Sequence, residues 1–240
     1  MGPSTPNAIV YGECGRFPIY VNSAVRSIKY WFKLLLMHED RLPKKAYNML
    51  LYLDNCGYNT WASEIRYLLF SHGFGYVWLS QTIGDIVSFL KLFKECSVNM
   101  FYQNRRSVLD GSSRYHLYRE IKSMLEPEKY LSSVIDVKRR NTLVKFRAGL
   151  LKLKYNEGRW QNIDVCARIC SLCNLGLEDE FHFLLVCPVY EELRKMYIPV
   201  NFLQCVNIHS YKNLVTSSEP RYINLLSYLY IMHMKNERSC

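Results

Sequence analysis

From Arg168 to Arg194 the chain reads RICSLCNLGLEDEFHFLLVCPVYEELR, which holds three cysteines and one histidine spaced C-x2-C-x8-H-x4-C. Thiolate sulfur and imidazole nitrogen are the donors zinc favours, and four of them in a tetrahedron form a closed site. Cys170 and Cys173 supply half of such a set, because a tight turn brings both thiolates of a C-x2-C pair to one side of the backbone. His182 and Cys187 supply the other half under one geometric condition. On a continuous α-helix, residues five apart point about 140° away from each other. The helix that carries His182 must therefore end near Cys187. Pro188 offers that end, with Cys187 as N-cap and Pro188 at the first position of the next helix. Glu178, Asp179 and Glu180 suit the first turn of the helix carrying His182. With four protein ligands the site is expected to be structural, and zinc would stabilise this corner by about 10 kcal/mol at neutral pH.

Two other readings stand beside this one. A redox C-x-x-C normally follows a strand in a βαβ unit, and none is apparent. Cys166 extends the run to C-x3-C-x2-C and could replace one ligand. Cys14, Cys56, Cys96, Cys205 and Cys240 have no paired spacing, and most are expected as small core residues.

Charge is the second source of chemistry. The 240 residues carry a formal +10 with a pI near 9.1, a balance that favours polyanionic partners. Between Gln103 and Trp160 there are 14 Lys/Arg against 6 Asp/Glu, so this segment holds a net +8. Within one helical stretch Lys138 and Lys145 form one basic stripe, and Arg140 and Arg147 form another. At about 100° per residue the stripes lie nearly opposite, so one is a contact face and the other a solvated or salt-bridged flank. The candidate nucleic-acid contacts are Lys138, Arg139, Arg140, Lys145, Arg147, Arg159 and Arg168. Phosphate contacts of this kind give affinity and salt dependence rather than sequence reading. Tyr155 and Trp160 could stack unpaired bases beside them, or pack a small β element as core aromatics.

The elements that must position these residues read as mainly α. Periodicity and caps place helices at 23–38, from Pro43, after Thr60, after Thr82 or Asp85, and at 132–149. Leu151, Leu153 and Tyr155 then alternate with lysines, and Asn-Glu-Gly offers a turn, which predicts a strand or small hairpin before the cysteines. The expected fold is an irregular helical array with a small zinc-stabilised β-hairpin/helix module near the C-terminal third. Four regions follow: an irregular 1–22, a helical 23–149, the zinc module 150–199, and a partly helical tail 200–240. No signal peptide and no membrane-length apolar run is visible, so an intracellular setting, nuclear or cytoplasmic, is the expectation.

The same segment resembles a known family. Arg168, Cys170, Cys173, Glu178, Asp179, His182, Cys187, Pro188, Tyr190 and Arg194 match the pattern of the cysteine/histidine segment that closes the polyproteins of non-LTR (LINE-type, jockey-like) retrotransposons. YGECGRFPIYVNSAVRSIKYWFKLL, NCGYNTWASEIRYLLFSHGFGYVW and NTLVKFRAGLLKLKYNEGRW are similar to stretches after the polymerase domain of such elements, so the resemblance spans about Val10 to Pro199. It implies descent from a retroelement, in a region downstream of the reverse transcriptase. The F/Y-x-D-D carboxylate pair of that polymerase is missing; its closest string, Tyr52-Leu53-Asp54-Asn55, lies in an apparent helix. No paired-carboxylate endonuclease signature is visible either. The combined expectation is a non-catalytic, zinc-stabilised region that binds RNA or single-stranded DNA. Its alternatives are a zinc-stabilised protein-interaction module, or a fragment of a reverse transcriptase whose catalytic part is encoded elsewhere.

Overall fold

A computed structural model describes residues 5–82, 84–134, 136–217 and 219–236. The chain divides into two compact units, one of Phe17–Arg106 and one of Met1–Arg16 with Ser107–Cys240. Both are helical. Among the described residues the only β-type pairings are two isolated antiparallel bridges, Cys14 with Pro127 and Ile169 with Leu177.

The first helix, α1 (Asn7–Cys14), belongs to the larger unit and lies within 1–22, a segment whose composition predicts irregular chain. Its signals are Pro6 at the N-cap and Gly15 in a left-handed conformation at the C-terminal end (φ 61°). Gly15 is required twice over, because a Cβ there would also lie 2.1 Å from the Pro127 nitrogen.

The smaller unit contains α2 (Ile19–Leu35), α3 (Leu42–Asn55), α4 (Trp61–Ser71), α5 (Gly75–Ser80) and most of α6 (Ile86–Asp110). The apolar stripe on α2 buries Ile28, Trp31 and Phe32 against Tyr47, Ile65 and Phe93. The Trp31 indole N–H donates to the Tyr47 hydroxyl at 2.8 Å, which removes the cost of burying that polar edge. Helix starts follow the expected chemistry. Pro43 sits in the first turn of α3, Thr60 and Ser63 form a capping box on α4, and Asp85 accepts from the Val87 and Ser88 amides on α6. Asp54, the acid of the Tyr52–Asn55 string, is buried and accepts from Ser63 (2.6 Å) and Arg66 (2.8 Å), tying α3 to α4.

The larger unit adds α7 (His116–Ile121), α8 (Tyr130–Ser133), α9 (Val137–Arg147), α10 (Lys154–Trp160), α11 (Glu191–Tyr197), α12 (Val200–Gln204), α13 (Ile208–Thr216) and α14 (Pro220–Asn236). One expectation changes here. No hairpin forms at 151–160: Leu151 and Leu153 are buried, but Lys154–Trp160 is the helix α10. Gly158 does not turn the chain. It lies inside that helix, and the Arg168 side chain packs over it, where a Cβ would come within 2.7 Å of Arg168 Cδ. The chain beyond 200 is partly helical, as expected, but α13 and α14 belong to the larger unit's core. Tyr211, Leu214, Ile223, Leu226 and Leu229 enter the same core as Phe146, Phe183 and Leu184, and α14 packs along α9 and α11. No described helix is long and apolar enough to cross a membrane.

Candidate metal centre and basic groove

The Cys170–Cys173 half of the centre sits in a turn closed by the bridge between Ile169 and Leu177. The Cys170 amide donates to the Gly176 carbonyl at 2.8 Å, and the Glu178 amide donates to the Arg168 carbonyl at 3.0 Å. Asn174 takes the left-handed conformation (φ 56°) that reverses the chain.

His182 and Cys187 meet by a route the sequence did not indicate. The helix does not simply stop. Residues His182–Val186 form a π-helical turn, and the Cys187 amide donates to the His182 carbonyl at 2.8 Å. A hydrogen bond from i+5 to i widens the turn, so His182 and Cys187 come closer to one side than the α-helical period would bring them. Pro188 then begins a 3₁₀ turn with Cys187 as its N-cap, as the break at Pro188 requires. Packing holds the widened turn, since Phe183, Leu184 and Leu185 are all buried in the core.

The donor atoms of Cys170, Cys173, His182 and Cys187 all lie within 4.8 Å of one another, with Cys173 Sγ 3.3 Å from His182 Nε2. Tetrahedral sulfur ligands at the usual zinc–sulfur length are separated by about 3.8 Å, so the set fits one metal ion with little adjustment. Cys166 is exposed and outside this set. Cys56 and Cys205, expected in the core, are exposed where α3 and α12 end, and Cys14 and Cys96 are half-buried; Cys240 lies outside the described residues.

The acids beside the centre have separate tasks. Only Asp179 caps the helix, accepting from the His182 amide at 2.7 Å. Glu178, 2% exposed, reaches across to α10, where its carboxylate accepts from the Lys154 amide at 3.0 Å; its Oε1 lies 3.7 Å from Cys170 Sγ. Glu180 accepts from Asn156 Nδ2 at 2.9 Å, and burial pushes its carboxyl up to about 7. Burial also pushes the Cys170 thiol up to about 12 and the Cys187 thiol upward, so metal uptake must release protons from both. Arg194 is buried, and its charge acts on both Cys187 and His182. Three thiolates and a neutral imidazole around a divalent ion leave a net −1, which Arg194 offsets.

The seven expected nucleic-acid contacts separate by environment. Lys138 and Arg139 are exposed, and with Lys145 they line a groove of about 540 Å³ that also holds Asn141, Tyr228 and Tyr230. Lys145 donates to the Tyr230 hydroxyl at 2.6 Å and lies 4.4 Å from that ring. The opposite stripe is internal. Arg140 is half-buried and donates to the Leu131 carbonyl at 3.1 Å. Arg147, expected as a phosphate contact, is fully buried and pairs with Glu13 and Glu128, each at 3.0 Å. Arg168 spends its guanidinium on the carbonyls of Ile163 (2.7 and 3.0 Å) and Tyr155 (3.0 Å). Arg159 lines a different cavity and donates to Ser112 at 3.2 Å. Trp160 is no core aromatic; it is 82% exposed. Tyr228 and Tyr230 were missed because only the folded register of α14 on α9 brings them beside the lysines.

Comparison with protein-family models, with curated proteins and with solved structures found no match.

Proposed function

We propose that this chain is a zinc-stabilised nucleic-acid-binding region of retrotransposon descent, with no catalytic role of its own. The observation that carries the binding is the groove in which Lys138, Arg139 and Lys145 stand beside Tyr228 and Tyr230. Cations interleaved with aromatic rings suit the phosphates and bases of RNA or single-stranded DNA. Zinc is the metal that three thiolates and an imidazole favour, and its role here is to hold the turn at Cys170 against the helix at His182. The retroelement origin rests on the sequence pattern from Arg168 to Arg194 and its upstream counterparts.

The test pairs metal analysis with binding. The native chain is expected to hold one zinc, and a Cys170→Ser, Cys173→Ser double variant none. A labelled single-stranded RNA is expected to bind with steep salt dependence. Lys138→Gln, Arg139→Gln, Lys145→Gln should flatten the log–log salt slope by about 2, one phosphate contact contributing about 0.7. Salt-independent binding, or none, would reject the reading.

A second reading, a protein-docking module, is favoured by one feature of the smaller unit. A groove of about 800 Å³ has an apolar floor that includes Phe32, Met37 and Leu90 and a rim of Lys29, Lys33 and Arg41. Its charge fits an amphipathic helix with carboxylates flanking its apolar face. An acidic amphipathic peptide whose affinity is unchanged by Lys29→Glu, Lys33→Glu would dismiss it.

A further inference from the structure

A cavity of about 310 Å³ in the larger unit is lined by Ser112, Arg114, Tyr115, Asn156, Arg159 and Trp160, of which two are cations and none is an acid. Arg114 donates through Nε to the Gly149 carbonyl at 2.8 Å, which anchors the guanidinium. Its two terminal nitrogens make no hydrogen bond among the described residues and remain accessible to solvent. Arg159 donates through Nη2 to the Ser112 hydroxyl at 3.2 Å and to nothing else among the described residues. Neither arginine forms an ion pair among those residues. Glu180 lies within electrostatic reach of Arg114, but it is 1% exposed, accepts from Asn156 Nδ2 at 2.9 Å and does not line the cavity.

Two hydroxyls add to the wall. Ser112 accepts from Arg159 and keeps its own hydrogen to give. Tyr115 is 7% exposed, yet its hydroxyl is accessible and has no partner among the described residues. Two guanidiniums lining one cavity with no carboxylate between them repel each other. An anion between them reverses that sign and takes up the idle donors.

The set of donors selects among anions. A carboxylate presents two oxygens in one plane and a single charge. A phosphodiester inside a strand likewise has one charge and two free oxygens. A terminal phosphate monoester carries three such oxygens and roughly 1.5 to 2 negative charges at neutral pH, which suits two arginines and two hydroxyls. Trp160, 82% exposed at the cavity, offers a face on which the attached base can stack. At about 310 Å³ the cavity lies at the small end of ligand sites, in keeping with a phosphate and part of its nucleoside.

We propose that this cavity holds the terminal phosphate monoester of a nucleic-acid strand, bound by Arg114, Arg159, Ser112 and Tyr115, with the terminal base stacked on Trp160. The assignment rests on the nucleic-acid reading above and adds to it recognition of a strand end, separate from the groove of Lys138, Arg139 and Lys145.

The test uses the full-length, zinc-loaded chain and an eight-nucleotide single-stranded RNA in three forms: hydroxyl at both ends, phosphate at the 5′ end, and phosphate at the 3′ end. One phosphorylated form is expected to bind at least about tenfold more tightly than the hydroxyl form, the scale of one hydrogen bond to a charged group. Arg159→Gln should bring that preference below about threefold, and Tyr115→Phe, which removes a hydroxyl that holds nothing in the protein, should lower it severalfold. Lys138→Gln, Arg139→Gln, Lys145→Gln should weaken all three strands and leave the preference unchanged. Equal affinity of the native chain for the three strands would overturn the strand-end assignment and leave the phosphate-groove reading standing. A preference unchanged in both Arg159→Gln and Tyr115→Phe would also overturn it, by locating the end elsewhere. Inorganic phosphate that binds the native chain but not Arg159→Gln, with no preference among the strands, would make this a free-phosphate site and equally overturn it. Failure of all three strands to bind would remove the nucleic-acid reading and the strand-end assignment together.

Discussion

Arg194 lies where its charge would favour a metal held by the four clustered donors, without being a ligand itself. It is buried, its charge reaches Cys187 and His182, and one of its terminal nitrogens, Nη1, has no partner in the protein. A trithiolate–imidazole centre needs a compensating positive charge nearby, and outer groups of this kind typically change metal affinity by about 10–100-fold. Arg194→Met is therefore expected to weaken zinc binding by about that factor, with Arg194→Lys recovering part of the loss, in a competition titration against a chromogenic chelator. Equal affinity in native and Met variants would show that Arg194 is held there for packing alone.

At the scale of elements, the Arg147 network joins α1, α9 and the segment around Glu128. Its guanidinium reaches Glu13 at 3.0 and 3.1 Å and the Val215 carbonyl at 3.1 Å, and Tyr130 donates to Glu13 at 2.6 Å. Burial and the adjacent Glu13 carboxylate push the Tyr130 phenol well above its ordinary range, so it stays a donor. Removing one partner of a buried pair costs about 3–5 kcal/mol because the other charge remains in the core. Arg147→Met should lower the thermal midpoint of the larger unit by about 10 °C. Adding Glu13→Gln should restore part of it. A Met variant as stable as the native chain would refute the pairing.

The same network marks where legibility in the sequence ended. The four metal donors were readable because their chemistry lies within a short segment, and caps such as Thr60 and Asp85 were readable because their partners are two or three residues away. Arg147 was not, since its acid lies 134 residues earlier in a stretch whose Pro6 and Gly15 looked like loop formers rather than helix ends. The π turn was also hidden. Nothing in HFLLV favours an i+5 bond locally; the widened turn serves to bury three apolar side chains while aiming two ligands at one point.

For the whole molecule, the separation of cores sets what metal loss can do. Cys170 and Cys187 belong to the core of the larger unit, whereas the core around Trp31 and Phe93 lies wholly within Phe17–Arg106. Chelation is expected to raise amide hydrogen exchange across 150–230 while leaving α2 to α4 protected. Uniform loss of protection in both units would contradict the division.

Glu13 also dictates an order of events during synthesis. At roughly 5–20 residues per second, Glu13 is synthesised roughly 7–27 s before Arg147. An eight-residue helix has little stability alone, so α1 spends that interval as loose chain with Ile9 and Glu13 uncovered. The smaller unit, encoded in between, can complete its own core meanwhile. The first helix in the sequence is thus among the last to dock, and the larger unit closes around a partner that must wait for it.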